Sequence, residues 1–137
     1  MLANYLYFKK LSMTHVTEFR KIVEPTATAI AAKNITDEEL KELGEQVERA
    51  RKASLESPVL WNTGRYDLDF HRFIGRCTRN PFLEIVIDFL ETVMEDMKHH
   101  HLVEKKYYLE IFKAHERIYA AMLKRRSEEH TSELQSR

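Results

Sequence analysis

From Thr14 to about Lys33, apolar residues recur at helical spacing: Val16, Phe19, Ile22 and Val23, then Ala27, Ile30 and Ala31. The pattern predicts one buried stripe. It should be kinked or divided at Pro25, whose ring removes a backbone donor and crowds the preceding turn. Thr36-Asp-Glu-Glu39 forms a capping box, with Thr36 at N-cap and Glu39 at N3. It opens a polar helix from Asp37 to about Ser54, with Leu40, Leu43, Val47 and Ala50 inward. The segment ESPVLWNTG, 56–64, reads as a loop in which Pro58 and Gly64 stop helices and Trp61 plugs the core edge. A helix from about Arg65 to Thr78 follows. Asn80 then caps, and Pro81 starts, a long helix to about His101. A last helix spans about Lys105 to Arg125, with Tyr108, Ile111, Phe112, His115, Ile118 and Met122 on one face. Residues 1–10 read as an arm or short amphipathic helix, and no internal repeat is present.

Nowhere do apolar and polar residues alternate between turn signals, and only three Gly and three Pro punctuate the chain, so the fold class is all-α. At 137 residues, one domain with a modest core is expected. The 22 basic and 22 acidic residues balance, which argues against gripping nucleic acid by bulk charge. Cys77 is the only cysteine, so neither a disulfide framework nor a cysteine-rich zinc site exists, and a reducing cytoplasm fits. No apolar run approaches the roughly 18–20 residues of a membrane span, and the N-terminus lacks a secretory pattern.

The last twelve residues, RSEEHTSELQSR at 126–137, have hardly any apolar stripe. They read like one frame of a common sequencing-library adapter, and Arg126–Arg137 is therefore expected to be a non-native tail. Three segments result: an arm at 1–10, a helical domain at 11–125 and the tail.

The chemistry concentrates in YDLDFHRFIGRCTRNPF, 66–82. Asp67 and His71 stand four apart, so on a helix they share one face and can offer oxygen and nitrogen to one cation. Such a set suits Zn²⁺, Ni²⁺ or Mn²⁺; the plainer reading is a surface ion pair. His115 lies mid-stripe among Ile111, Phe112 and Ile118. Alone it would be a satisfied core histidine, but inward histidines on two helices plus an inward acid need partners. Asp69 faces elsewhere, two residues from each of Asp67 and His71. His99, His100 and His101 point about 100° apart and cannot converge on one ion.

These residues resemble the C-terminal effector-binding (FCD) domain of GntR-type bacterial transcription regulators. The likeness is carried by EFRKIVEPTATAIAAKNITDEEL at 18–40, Asp67-x3-His71, Asn80-Pro81-Phe-Leu, and His115-x2-Ile118-x2-Ala121-Met122, in family order over about residues 11–125. It implies an antiparallel helical bundle holding a divalent metal, Zn²⁺ or Ni²⁺, through Asp67, His71 and His115. The family's fourth ligand, a histidine, would fall at 137, where Arg137 stands in the adapter-like tail, so an incomplete site and a missing final helix are expected. His130 is no replacement. The resemblance further implies a small carboxylate effector beside the metal, with Arg20 and Asn80 as its contacts. Arg20 offers a planar fork suited to a carboxylate, or pairs with Glu24 at i+4; Asn80 is first a helix cap. A homodimer is implied, with operator DNA bound only through a winged-helix domain absent from this chain.

Two other classes compete. A helical metal-dependent hydrolase would need the same three ligands and an activated water. His115-Glu116 begins like a zinc-protease motif, but position 119 is Tyr, and no nucleotide loop or catalytic triad motif is present. A structural dimerisation bundle would leave Asp67, His71 and His115 without a shared purpose. The expected protein is a non-enzymatic sensor.

Overall fold

The computed structural model describes residues 11–56, 60–98 and 105–135. They form five helices and no strand: α1 (Met13–Asn34), α2 (Asp37–Glu56), α3 (Leu60–Cys77), α4 (Pro81–Lys98) and α5 (Lys105–Gln135). The fold class is all-α, as the hydrophobic spacing predicts. The arm at 1–10, Pro58, the histidine run 99–101 and the side chains of Trp61 and Tyr108 lie outside what is described.

The chain divides into two compact units, one of residues 1–34 and 71–103, the other of residues 35–70 and 104–137. In the first, α1 packs on α4. Val16, Leu90 and Met94 form its buried cluster, with Leu11, Val93 and Met97 against them. Gly75 lets α3 approach α4 closely, since a Cβ there would stand 3.3 Å from Ile87 Cβ. Arg72 of α3 reaches Asp88 of α4 at 3.2 Å. In the second unit α2 packs on α5, burying Leu40, Leu43, Phe112 and Met122.

The local signals explain where helices begin. Ser12 caps α1: its Oγ accepts from His15 N at 3.4 Å, while His15 Nδ1 accepts from Ser12 N at 3.2 Å. Thr36 and Glu39 form the reciprocal box, 3.1 Å from Glu39 N to Thr36 Oγ1 and 3.0 Å from Thr36 N to Glu39 Oε1. Between α3 and α4, Arg79 takes the left-handed conformation at φ 57°. Asn34 Nδ2 donates to the Thr78 carbonyl at 2.8 Å, fastening this turn to the end of α1.

Four expectations need correction. Pro25 does not divide α1, which runs continuously through it. The carbonyl that loses its partner belongs to Lys21, an exposed residue, and Thr26 Oγ1 donates to the Ile22 carbonyl beside it at 3.1 Å. Phe19 and Ile22 are not buried; Ile22 is 70% exposed. Residues 60–64 are helical rather than loop, because a glycine inside a helix costs only about 1 kcal/mol against alanine and Gly64 does not stop α3. Finally, α5 does not end near Arg125 but runs to Gln135. Nothing in the sequence of 126–135 breaks a helix. Arg125 pairs with Glu129 at i+4 (3.1 Å), and Arg126 donates to the Ile35 carbonyl and lies 3.4 Å from Asp37. Beyond Arg126 the described side chains of this helix are exposed.

Candidate metal and effector site

In the unit of residues 35–70 and 104–137, α3 and α5 bring two polar side chains together inside apolar surroundings. Asp67 is 1% exposed, and His115 is also buried. His115 Nε2 lies 3.0 Å from Asp67 Oδ1. The ring is held on other sides as well. Phe70 stacks on it with centroids 3.9 Å apart and planes 8° from parallel, and Phe112 meets it edge-on at 6.4 Å. Phe112 precedes His115 by three residues on α5 and Phe70 follows Asp67 by three on α3, so each aromatic shares a helix face with one member of the pair. Burying an acid and a histidine together is costly unless the attraction between them, or a bound ion, offsets it.

The donor set fits a divalent cation. Two ligands at right angles, each roughly 2.1 Å from an ion, stand about 3 Å apart, the observed Asp67–His115 separation. Oxygen with imidazole nitrogen is chemistry acceptable to Zn²⁺ and Ni²⁺. His71 follows Asp67 by four residues on α3, and so lies on the same face of that helix. Asp69 is turned away and exposed, 4.0 Å from Arg65. His130 is also exposed, 4.0 Å from Asp37, and is not part of this site.

In the unit of residues 1–34 and 71–103, His71 Nδ1 lies 3.8 Å from Glu24 Oε1. Arg20 Nε donates to the same Glu24 oxygen at 2.9 Å, the i+4 pairing open to it from sequence. Both side chains are partly buried. Asn80 Oδ1 accepts from Phe82 N at 3.0 Å and Leu83 N at 3.3 Å, and its carbonyl accepts from Glu84 N at 3.0 Å. Asn80 is therefore the N-cap of α4. Sequence reasoning missed Glu91, a carboxylate with no exposed surface. A signal existed: Glu91 lies four after Ile87 and three before Met94, squarely on the buried stripe of α4.

The described residues thus form an all-helical domain with a buried acid–histidine pair between two of its helices. Comparison with known families makes the class specific. The model of the FCD domain family matches residues 15–135. This chain belongs to the FCD domain family, the C-terminal effector-binding domain of GntR-family regulators. No curated protein and no solved structure matches it.

Proposed function

We propose that this domain is the ligand-sensing, metal-binding part of a cytoplasmic bacterial GntR-type transcription regulator, and not an enzyme. The observation that carries the metal reading is the buried Asp67–His115 pair at 3.0 Å, with the imidazole fixed between Phe70 and Phe112. Asp67, His71 and His115 would hold Zn²⁺ or Ni²⁺, the bound ion supplying a Lewis-acidic anchor for a carboxylate. A small carboxylate effector would bind beside it. Arg20 would contribute a bidentate fork to that effector by exchanging Glu24 for the incoming carboxylate. Asn80 would contribute its side-chain NH2, since its Oδ1 is committed to the α4 cap.

Regulation would follow from population shift: effector binding favours one arrangement of a homodimer and so the spacing of DNA-reading heads carried by another domain. Self-association is supported by apolar side chains left in solvent on α4, Phe82 (74% exposed), Ile85 (66%) and Phe89, at helical spacing. The same reading assigns residues 126–137 as a non-native tail, in keeping with the exposed side chains described beyond Arg126.

Calorimetric titration with Zn²⁺ and Ni²⁺ tests the site. Wild type should bind, and Asp67→Asn, His71→Ala and His115→Ala should each lose at least tenfold in affinity, of the order seen when one metal ligand or its support is removed. Metal affinity unchanged in all three variants refutes the metal site. A panel of small di- and tricarboxylates, read by thermal shift on metal-loaded protein, tests the effector class; stabilisation that survives Arg20→Ala removes Arg20 from it.

A further inference from the structure

The unit of residues 1–34 and 71–103 contains a second set of ligand-type side chains, which shares His71 with the proposed metal ligands. Glu24 of α1, His71 of α3 and Glu91 of α4 place one ligand atom each within 4.8 Å of one another. Glu91 is fully buried, and Glu24 and His71 are largely so. Two carboxylates and an imidazole this close, and largely shielded from water, offer a cation several donors at once. Three helices converge here, so the set is held by tertiary packing rather than by neighbours in sequence. The 3.8 Å between His71 Nδ1 and Glu24 Oε1 is near the separation of two ligands about 2.2 Å from a common ion, with a small side-chain adjustment.

We infer that Glu24, His71 and Glu91 form a second divalent-cation site, suited to a hard ion such as Mn²⁺. Two carboxylates and one imidazole are a harder donor set than one carboxylate and two imidazoles, so the ion preferred here differs from that of the Asp67, His71 and His115 set. The two ligand sets meet only at His71. A neutral imidazole has one lone pair and serves one ion at a time, so the ion present decides which set His71 joins. Arg20 sets a second condition. Its guanidinium occupies the Glu24 oxygen that faces His71, and an incoming cation competes with it for that oxygen. Arg20 is thus an internal counter-ion that weakens this site.

Mn²⁺ binding to the full chain, followed by loss of the free-ion electron paramagnetic resonance signal, tests the site. Glu91→Gln and Glu24→Gln should each weaken Mn²⁺ by at least tenfold. Arg20→Gln should tighten it severalfold. Asp67→Asn and His115→Ala should weaken Mn²⁺ less than Glu24→Gln does, although both weaken Zn²⁺ if the first site exists. Circular dichroism checks that the Glu91 variant is folded; should it not be, the partly exposed Glu24 and Arg20 variants carry the test. Mn²⁺ affinity unmoved by Glu24→Gln overturns the inference, as does a loss in His115→Ala equal to that in Glu24→Gln, which would assign the ion to the first set. Loss of Zn²⁺ binding in the Asp67 and His115 variants is read separately, so either site can fail alone.

Discussion

Replacing His115 by alanine probes the buried pair directly. The substitution removes the imidazole 3.0 Å from a carboxylate that is 1% exposed, and deletes a ring stacked on Phe70 at 3.9 Å. Removing one member of a buried charged pair costs about 3–5 kcal/mol, and a stacked aromatic contact adds about 0.5–1.5 kcal/mol. These terms overlap, because a ring that leaves forfeits both at once, so a loss of about 4 kcal/mol is expected. At roughly 3–4 °C per kcal/mol for a domain of this size, Tm should fall by about 12–16 °C. The assay is urea or thermal unfolding followed by circular dichroism in the presence of a chelator, so that metal linkage does not contribute. Asp67→Asn alone and the double variant complete a cycle. The pair should show a coupling of at least about 1 kcal/mol, since the two side chains are in direct contact. Additive losses, or a His115→Ala variant within about 1 kcal/mol of wild type, would show that the pair is not mutually supporting in the way the geometry requires.

Further variants test other elements. Asn80→Ala removes an acceptor used by two backbone donors at the start of α4 and should cost about 1 kcal/mol in chemical denaturation, with Asn80→Asp retaining most of it. Gly44→Ala would place a Cβ 2.6 Å from Tyr119 Cζ, so the ring must move. The variant should be destabilised by about 1 kcal/mol net, yet in a Tyr119→Ala background the same change should stabilise by about 1 kcal/mol through helix propensity. A destabilisation of equal size in both backgrounds would refute the clash. Deleting 127–137 should leave Tm nearly unchanged, because the described side chains there are exposed, while Arg126→Ala should lose about 1 kcal/mol with its contacts to Ile35 and Asp37. A large loss on deletion, read by the same unfolding assay, would mean that the tail packs against the domain after all.

What the sequence determined by itself was local. Thr36 with Glu39, and Asn80 with Pro81, specify helix starts within a few residues, since a side-chain oxygen and a backbone donor three positions apart need nothing else in the molecule. The all-α class followed from spacing repeated over whole helices. The i,i+4 pairing of Arg20 with Glu24 was legible for the same reason, as was His115 on its apolar stripe. Tertiary structure decided the rest. The stripe of α1 predicted burial for Ile22, but burial depends on which helix lies opposite, and Ile22 is left in solvent. Gly64 carried a helix-stop signal that the surrounding α3 overrode, because a single glycine costs less than an interrupted helix. Most telling is the fate of three side chains from separate helices. Periodicity indicates that Glu91 faces inward and that Glu24 and His71 sit on helices, but nothing periodic relates α1, α3 and α4. Their convergence within 4.8 Å, like the 3.0 Å between Asp67 and His115, is a property of packing between distant segments, where no one-dimensional spacing reaches.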